Sequence, residues 1–406
     1  MDSHNSANPP PTPGRTLAPA QDAEALLNSG IAENKLKHYP QSLRLLNAAY
    51  PLLEEQKANN QQAYCAYYIG LNLKAIGEFD QAHAQLMLAM ELAKALRTAE
   101  GAALEKYIHL YLGICKEALE AYDSATEHLQ IAASQFETPI TEKNSTHYLR
   151  ASLHLHGCAM RNGNPALAES RLLMLGSQRP DVYQKPELKA LYYYLLGISQ
   201  ALNAHFTTAV TMLEKAQVCY KALPDSTKEL ATIAQYLGVV YLSLDKPEKS
   251  FSQLVPAKRY FDAVQDIESI YFLNIALTLY YHTKNDIQGA KNHLEAMFET
   301  LGTSSEYSPK TIAALCGTTG YFIDHLKALT TDPGLAILIN AIIKKAASLL
   351  PPVSPTQPAT RSPVSAYGSR LSFPFSPKSA STFNDEEKHE SPTPPESKST
   401  FPRQSK

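Results

Sequence analysis

The chain has 406 residues, 44% of them hydrophobic and 19% charged, with a formal net charge of −2. That length suits two ordinary domains or one long solenoid, and the near-neutral balance gives no global field to draw the chain to nucleic acid or an anionic membrane. Five scattered cysteines, Cys65, Cys115, Cys158, Cys219 and Cys316, form no CxxC pair, which argues for a reducing compartment and against a disulfide framework.

The ends differ from the middle. Of 27 prolines, 5 lie in residues 1–20 and 11 in residues 351–406. Both segments are rich in Ser and Thr and poor in aliphatics, so they cannot bury enough apolar surface to offset ordering entropy, and both are expected to be disordered. The N-terminal segment has no apolar core of the kind a secretory signal needs. The longest apolar run, Leu335 to Ile343, is too short to span a bilayer. An intracellular protein, cytoplasmic or nuclear, is the expectation.

Between the ends the sequence repeats. AYYIGLNLKAIGEFDQAHAQLMLA from Ala66 recurs from His109, from Tyr193 and from Ala234. The landmarks superpose without gaps. Gly70, Gly113, Gly197 and Gly238 are equivalent, and so are Phe79, Tyr122, Phe206 and Pro247. Ala82, Ala125, Ala209 and Ser250 follow, then Leu86, Leu129, Leu213 and Leu254, and finally Ala89, Ala132, Ala216 and Ala257. Each unit reads as two helices broken by a short turn, with small residues where the helices cross.

This pattern resembles the tetratricopeptide repeat, a stacked helix-turn-helix unit. Weaker copies fill the gaps: one on Gly30, Tyr39, Ser42, Leu46 and Ala49, one from Leu149 to Leu175, and one from Phe272 to Met297. The spacing is long, 40 residues from Gly30 to Gly70 and 43 from Gly70 to Gly113, so longer helices than usual are expected. The resemblance implies an all-α, right-handed superhelical solenoid of about seven units over residues 21–300. Residues 301–350 are expected to form a helical cap, with the amphipathic stretch from Leu335 to Leu350 closing the stack.

Catalytic signatures are missing. No phosphate loop, dinucleotide fingerprint, nucleophile elbow or zinc-protease motif occurs. His154 and His156 are two apart on a predicted helix and so point to different faces. They are not expected to share a metal, and surface or half-buried histidines are the simpler reading. Cys115 and Cys158 read as small buried hydrophobes. The expectation is a non-enzyme with no cofactor and no metal.

In the repeat family the first helix of each unit lines a concave surface. Carried onto this chain, the resemblance places Tyr64, Tyr67, Leu71, Tyr107, Leu110, Ile114, Leu153, Leu191, Tyr194, Ile198, Gln235, Val239, Phe272, Ile275 and Leu279 in that groove. Chaperone-type members hold a C-terminal carboxylate with Lys and Asn at such positions. Here Leu27, Tyr67, Leu110 and Tyr194, with Ile31, Leu71, Ile114 and Ile198, stand instead, so no clamp of that kind is expected. An apolar, Tyr-rich groove suits an extended or helical segment of a partner protein, with the tyrosines as anchors. The competing reading is that these residues are interior core of tightly packed long helices.

The sixth and seventh units, with Ser250, Val255-Pro256-Ala257 and Asp266, are also similar to the cohesin-loader subunit of this repeat class. That likeness implies a scaffold acting in sister chromatid cohesion. The alternative is a peptide-sensing regulator, or an effector or adaptor in signalling. Neither uses a direct nucleic-acid, membrane or small-molecule partner. In the tail, Ser354, Ser362, Ser376, Ser391 and Thr393 each precede proline, making them candidate phosphorylation sites.

Overall fold

The computed structural model describes residues 22–137 and 141–349. The two terminal segments and the five Ser/Thr-Pro sites lie outside the described residues. Within them the chain forms seventeen α-helices and no strand. The first fourteen pair into seven hairpins: α1 Ala23–Lys35 with α2 Tyr39–Glu55, α3 Asn59–Ala75 with α4 Phe79–Leu96, α5 Ala99–Ala118 with α6 Tyr122–Glu137, and α7 Glu142–Arg161 with α8 Pro165–Gln178. Then come α9 Pro186–Leu202 with α10 Phe206–Lys221, α11 Thr227–Ser243 with α12 Pro247–Ala263, and α13 Ile267–Thr283 with α14 Ile287–Gly302. Successive odd-numbered helices pack on one another, and each hairpin leans on the next.

One turn is used seven times. The first helix of each hairpin ends at a residue with positive φ: Lys37, Gly77, Glu120, Gly163, Ala204, Asp245 and Asn285. After it the chain closes a Schellman motif. In the second hairpin Glu78 N–H donates to Leu73 O and Gly77 N–H to Lys74 O, which satisfies carbonyls that the helix end would otherwise leave open. The same pair of bonds closes the other six turns.

Above the turn the helices touch through glycine and leucine. A Cβ on Gly70, Gly113, Gly197 or Gly238 would lie 2.3–2.8 Å from side-chain carbons of Leu86, Leu129, Leu213 or Leu254, respectively. No side chain fits there, so glycine sets the crossing distance. The hairpins carrying α7 and α13 depart from this pattern, because His156 and Thr278 stand where the other five have glycine.

The even-numbered helices and the terminal α1 and α17 bury one stripe each, whereas the odd-numbered helices between α3 and α13 bury most of their surface. On α3 every residue from Gln62 to Asn72 is buried. Beyond α14 come α15 Pro309–Tyr321, the short α16 Ile323–Ala328 and α17 Pro333–Leu349. Helix α17 packs on α14 through Leu335, Ile339, Ile342 and Ala346. The Cys316 thiol of α15 donates to Ala346 O, which closes the end of the stack.

The apolar interior falls into two main bodies. One gathers residues from Ala23 to Phe136, and the other runs from Leu149 to Ala346. They meet on α7, which contributes to both. That helix also buries Asn144, Thr146, His147, Arg150, Ser152, His154, His156 and Arg161, an unusual density of polar groups for an interior helix.

Candidate functional site

The expected apolar groove is not an open surface. Tyr64, Tyr67, Leu71, Tyr107, Leu110, Ile114, Leu153, Leu191, Tyr194, Ile198, Gln235, Phe272 and Ile275 are all 5% exposed or less. Val239 and Leu279 are half-buried. The reason is side-chain size. Tyr67 packs edge-on to Tyr68 and Tyr111, Tyr107 to Phe136 and His147, and Tyr194 to Tyr220. Phe272 packs on Phe322 from the C-terminal cap. Rings from neighbouring helices fill the space that a groove would occupy, so the tyrosines serve as core and not as exposed anchors. His154 and His156, expected at or near the surface, are buried too.

The interior carries chemistry that sequence reasoning passed over. Four residues after the landmark glycine, three successive inner helices place Asn34, Lys74 and Glu117. All three are buried. Asn34 Nδ2 donates to Asn72 Oδ1 at 2.9 Å, and Asn72 Nδ2 donates to Ser42 Oγ at 2.7 Å. Lys74 Nζ sits 5.3 Å from the centre of the Tyr111 ring. A polar residue recurring at one register of otherwise apolar helices was the available signal.

Glu117 on α5 is the hub. Its Oε2 lies 2.5 Å from His154 Nδ1, and its Oε1 accepts from Arg161 Nη1, both partners being on α7. Burial alone would raise the Glu117 carboxyl, but Arg161 and then His154 outweigh it and hold it below the usual carboxylate range. Burial works against the Arg161 charge in turn, and Glu117 more than restores it. The pair is therefore ionised and dry. Arg150 on α7 adds a donor toward the Tyr111 hydroxyl at 3.4 Å.

On α7, α9 and α11 several buried polar atoms have no hydrogen-bond partner among the described residues. They include Arg161 Nε and Nη2, the Tyr194 hydroxyl and both amide atoms of Gln235. Burial drives the Tyr194 phenol up, Arg161 pulls it partly back, and Glu229 and Glu117 push it further. Tyr194 thus sits within reach of both charge centres.

Burial pushes Cys65 and Cys115 up to about 12, far from the thiolate a nucleophile needs. Among the described residues no group of three or more His, Cys, Asp or Glu side chains could hold a metal, and no helix is long and apolar enough to cross a membrane.

Seven stacked helical hairpins with small residues at each crossing define a tetratricopeptide-repeat solenoid. No family model matches the chain, and no curated protein matches its sequence. Solved structures do share its fold. The peptide-free form of the quorum sensor NprR from B. thuringiensis superposes with a TM-score of 0.54 at 12% identity, over 80% of this chain and 87% of that one. The Rap conjugation gene regulator of plasmid pLS20, solved with the Phr* peptide, gives 0.53 at 12% identity over 80% and 94%. Aspartyl phosphate phosphatase F from Bacillus subtilis gives 0.53 at 9% identity over 82% and 96%. At such identities the likeness is one of fold.

Proposed function

We propose that this chain is a non-catalytic interaction protein that takes up a short peptide, or an extended segment of a partner protein, along its inner helices. It would then act as a peptide-sensing regulator. The observation that carries this reading is the layer of buried, incompletely paired polar groups on α7, α9 and α11. Peptide backbone is rich in donors and acceptors, so it suits such a layer better than an apolar helix face does. Support also comes from the pLS20 regulator, a protein of the same fold solved with a peptide. The regulators named above favour this role over cohesin loading. The phosphatase named among the neighbours is 9% identical, and its activity is not carried over.

In this reading the closed interior opens to admit the ligand and closes on it. Ligand that binds only the folded chain raises stability by about 2.7 kcal/mol at one hundred times its dissociation constant. The test is thermal unfolding of the full chain against pools of defined synthetic peptides about five to ten residues long. Deconvolution of a positive pool to one sequence that raises Tm in a dose-dependent way is the expected result. Failure of every pool at millimolar concentration overturns the proposal.

A further inference from the structure

We infer that Arg161 anchors a carboxylate-binding site between α7 and α9, with α11 next in line, and that it receives an acidic side chain or the C-terminal carboxylate of a peptide. The inference rests on the peptide-binding reading above and names the chemistry of its ligand.

Arg161 is 2% exposed. Only its Nη1 is engaged, by Glu117. Both Glu117 oxygens are engaged, the other one by His154. The remaining Arg161 atoms, Nε and Nη2, have no partner among the described residues. Those two nitrogens form one edge of the planar guanidinium. Their N–H groups run parallel, at the spacing of the two oxygens of a carboxylate. A single carbonyl or hydroxyl would use only half of that edge.

Two more donors stand by. Tyr194 on α9, 1% exposed, interacts electrostatically with Arg161, and its hydroxyl has no partner among the described residues. Gln235 holds the same register as Tyr194 on the next inner helix, α11. It is fully buried and its amide is unpaired at both atoms. Arginine, phenol and amide thus follow one another across three helices, in the order in which a bound carboxylate and the chain beyond it would meet them.

Among the described residues the buried charged side chains around the site are Arg150 and Arg161 on α7, with Glu117 on α5 and Glu229 on α11. Positive charge is therefore concentrated on α7, where an anion is favoured over a cation. Glu229 faces Tyr194 and Tyr220, so negative charge from a ligand is favoured on the Arg161 side of Tyr194. This is not the open-groove clamp of chaperone-type repeats, whose positions are apolar here. Arg161 lies further along its helix, at the last residue of α7.

The test uses the full chain with 15N-labelled arginine. The Arg161 Nε–H resonance is assigned by its loss in Arg161→Lys, which keeps a cation beside Glu117 but removes the planar fork. Sodium acetate is titrated against acetamide, its neutral counterpart, and against inorganic phosphate. The expected result is a saturable shift of the Arg161 signal with acetate, at least tenfold tighter than with acetamide, accompanied by a rise in Tm that Arg161→Lys loses. An acetate-insensitive signal, equal response to acetamide, or a response to phosphate alone overturns the inference.

Peptides found in the thermal screen give the second arm. Each is compared as free acid and C-terminal amide, and with Asp or Glu exchanged for Asn or Gln. A loss of tenfold or more on one of these changes assigns the source of the carboxylate. Peptides that bind equally in all forms refute the Arg161 site and leave the proposed function standing. An acetate response with no peptide binding refutes the proposed function and leaves the site.

Discussion

Gly113→Ala tests the idea that glycine sets the distance between the two helices of a hairpin. The added Cβ would lie 2.6 Å from Leu129 Cγ and 2.8 Å from its Cδ2. Carbon atoms prefer about 3.5–4.0 Å, so Leu129 or the helix must move by about 1 Å. Overpacking of this kind costs about 1–3 kcal/mol. The gain in helix propensity returns about 1 kcal/mol, leaving a net loss of up to about 2 kcal/mol. Leu129→Ala alone should cost about 2–5 kcal/mol, since Leu129 is fully buried. In that shortened background the clash is gone, and Gly113→Ala should turn stabilising. The coupling between the two changes is then about 1–3 kcal/mol. Gly302→Ala is the control, because nothing lies within 4 Å of its Cβ; it should stabilise by a few tenths of a kcal/mol up to about 1 kcal/mol. Urea unfolding of the four variants measures all these terms. Additivity of Gly113→Ala and Leu129→Ala within about 0.5 kcal/mol would refute the packing argument.

Two further predictions concern the turns and the histidines. Gly77 has φ +89 and open space around its Cβ, so Gly77→Ala should lose about 1–2 kcal/mol through backbone strain alone, whereas Ala204→Gly, at the equivalent position with φ 61, should gain a few tenths; chemical denaturation reads both. His109 and His156 are each brought down from 6.5 to about 4, chiefly by burial and then by His128 and Arg171 respectively. Between those values the unfolded chain holds protons that the folded chain does not, so stability falls as pH drops from 6.5 toward 4. His109→Gln with His156→Gln should flatten Tm across that interval. Glu117 contributes in the opposite sense to a raised group: its carboxyl is depressed, and its share is lost only below its ordinary value of 4.5.

The fold was legible because each hairpin advertises its crossing point. Gly70, Ala82 and Leu86 recur in register as Gly113, Ala125 and Leu129, and close approach of two helices allows few substitutes at such positions. The fourth hairpin read poorly because His156 occupies the glycine position. The groove was misjudged for a different reason. Repeat geometry tells which way Tyr67 or Tyr194 points, but not what already stands there. Tyr111 and Tyr220 fill those places, and ring-on-ring crowding depends on separate helices brought together only by folding. Glu117 and Arg161 were equally hidden, since each looks like an ordinary solvated helix charge until the chain folds back to join two positions 44 apart.

The meeting of two apolar bodies at α7 has a mechanical meaning. A load between the two ends of the solenoid is carried by its interfaces in series. Apolar interfaces yield gradually, as surface slides past surface and water follows. The Glu117, His154 and Arg161 bonds are directional and are lost within a fraction of an ångström to one ångström of travel. A stack elastic over most of its length is thus brittle at one plane, and under tension it should part there first, into two pieces that each keep their own core.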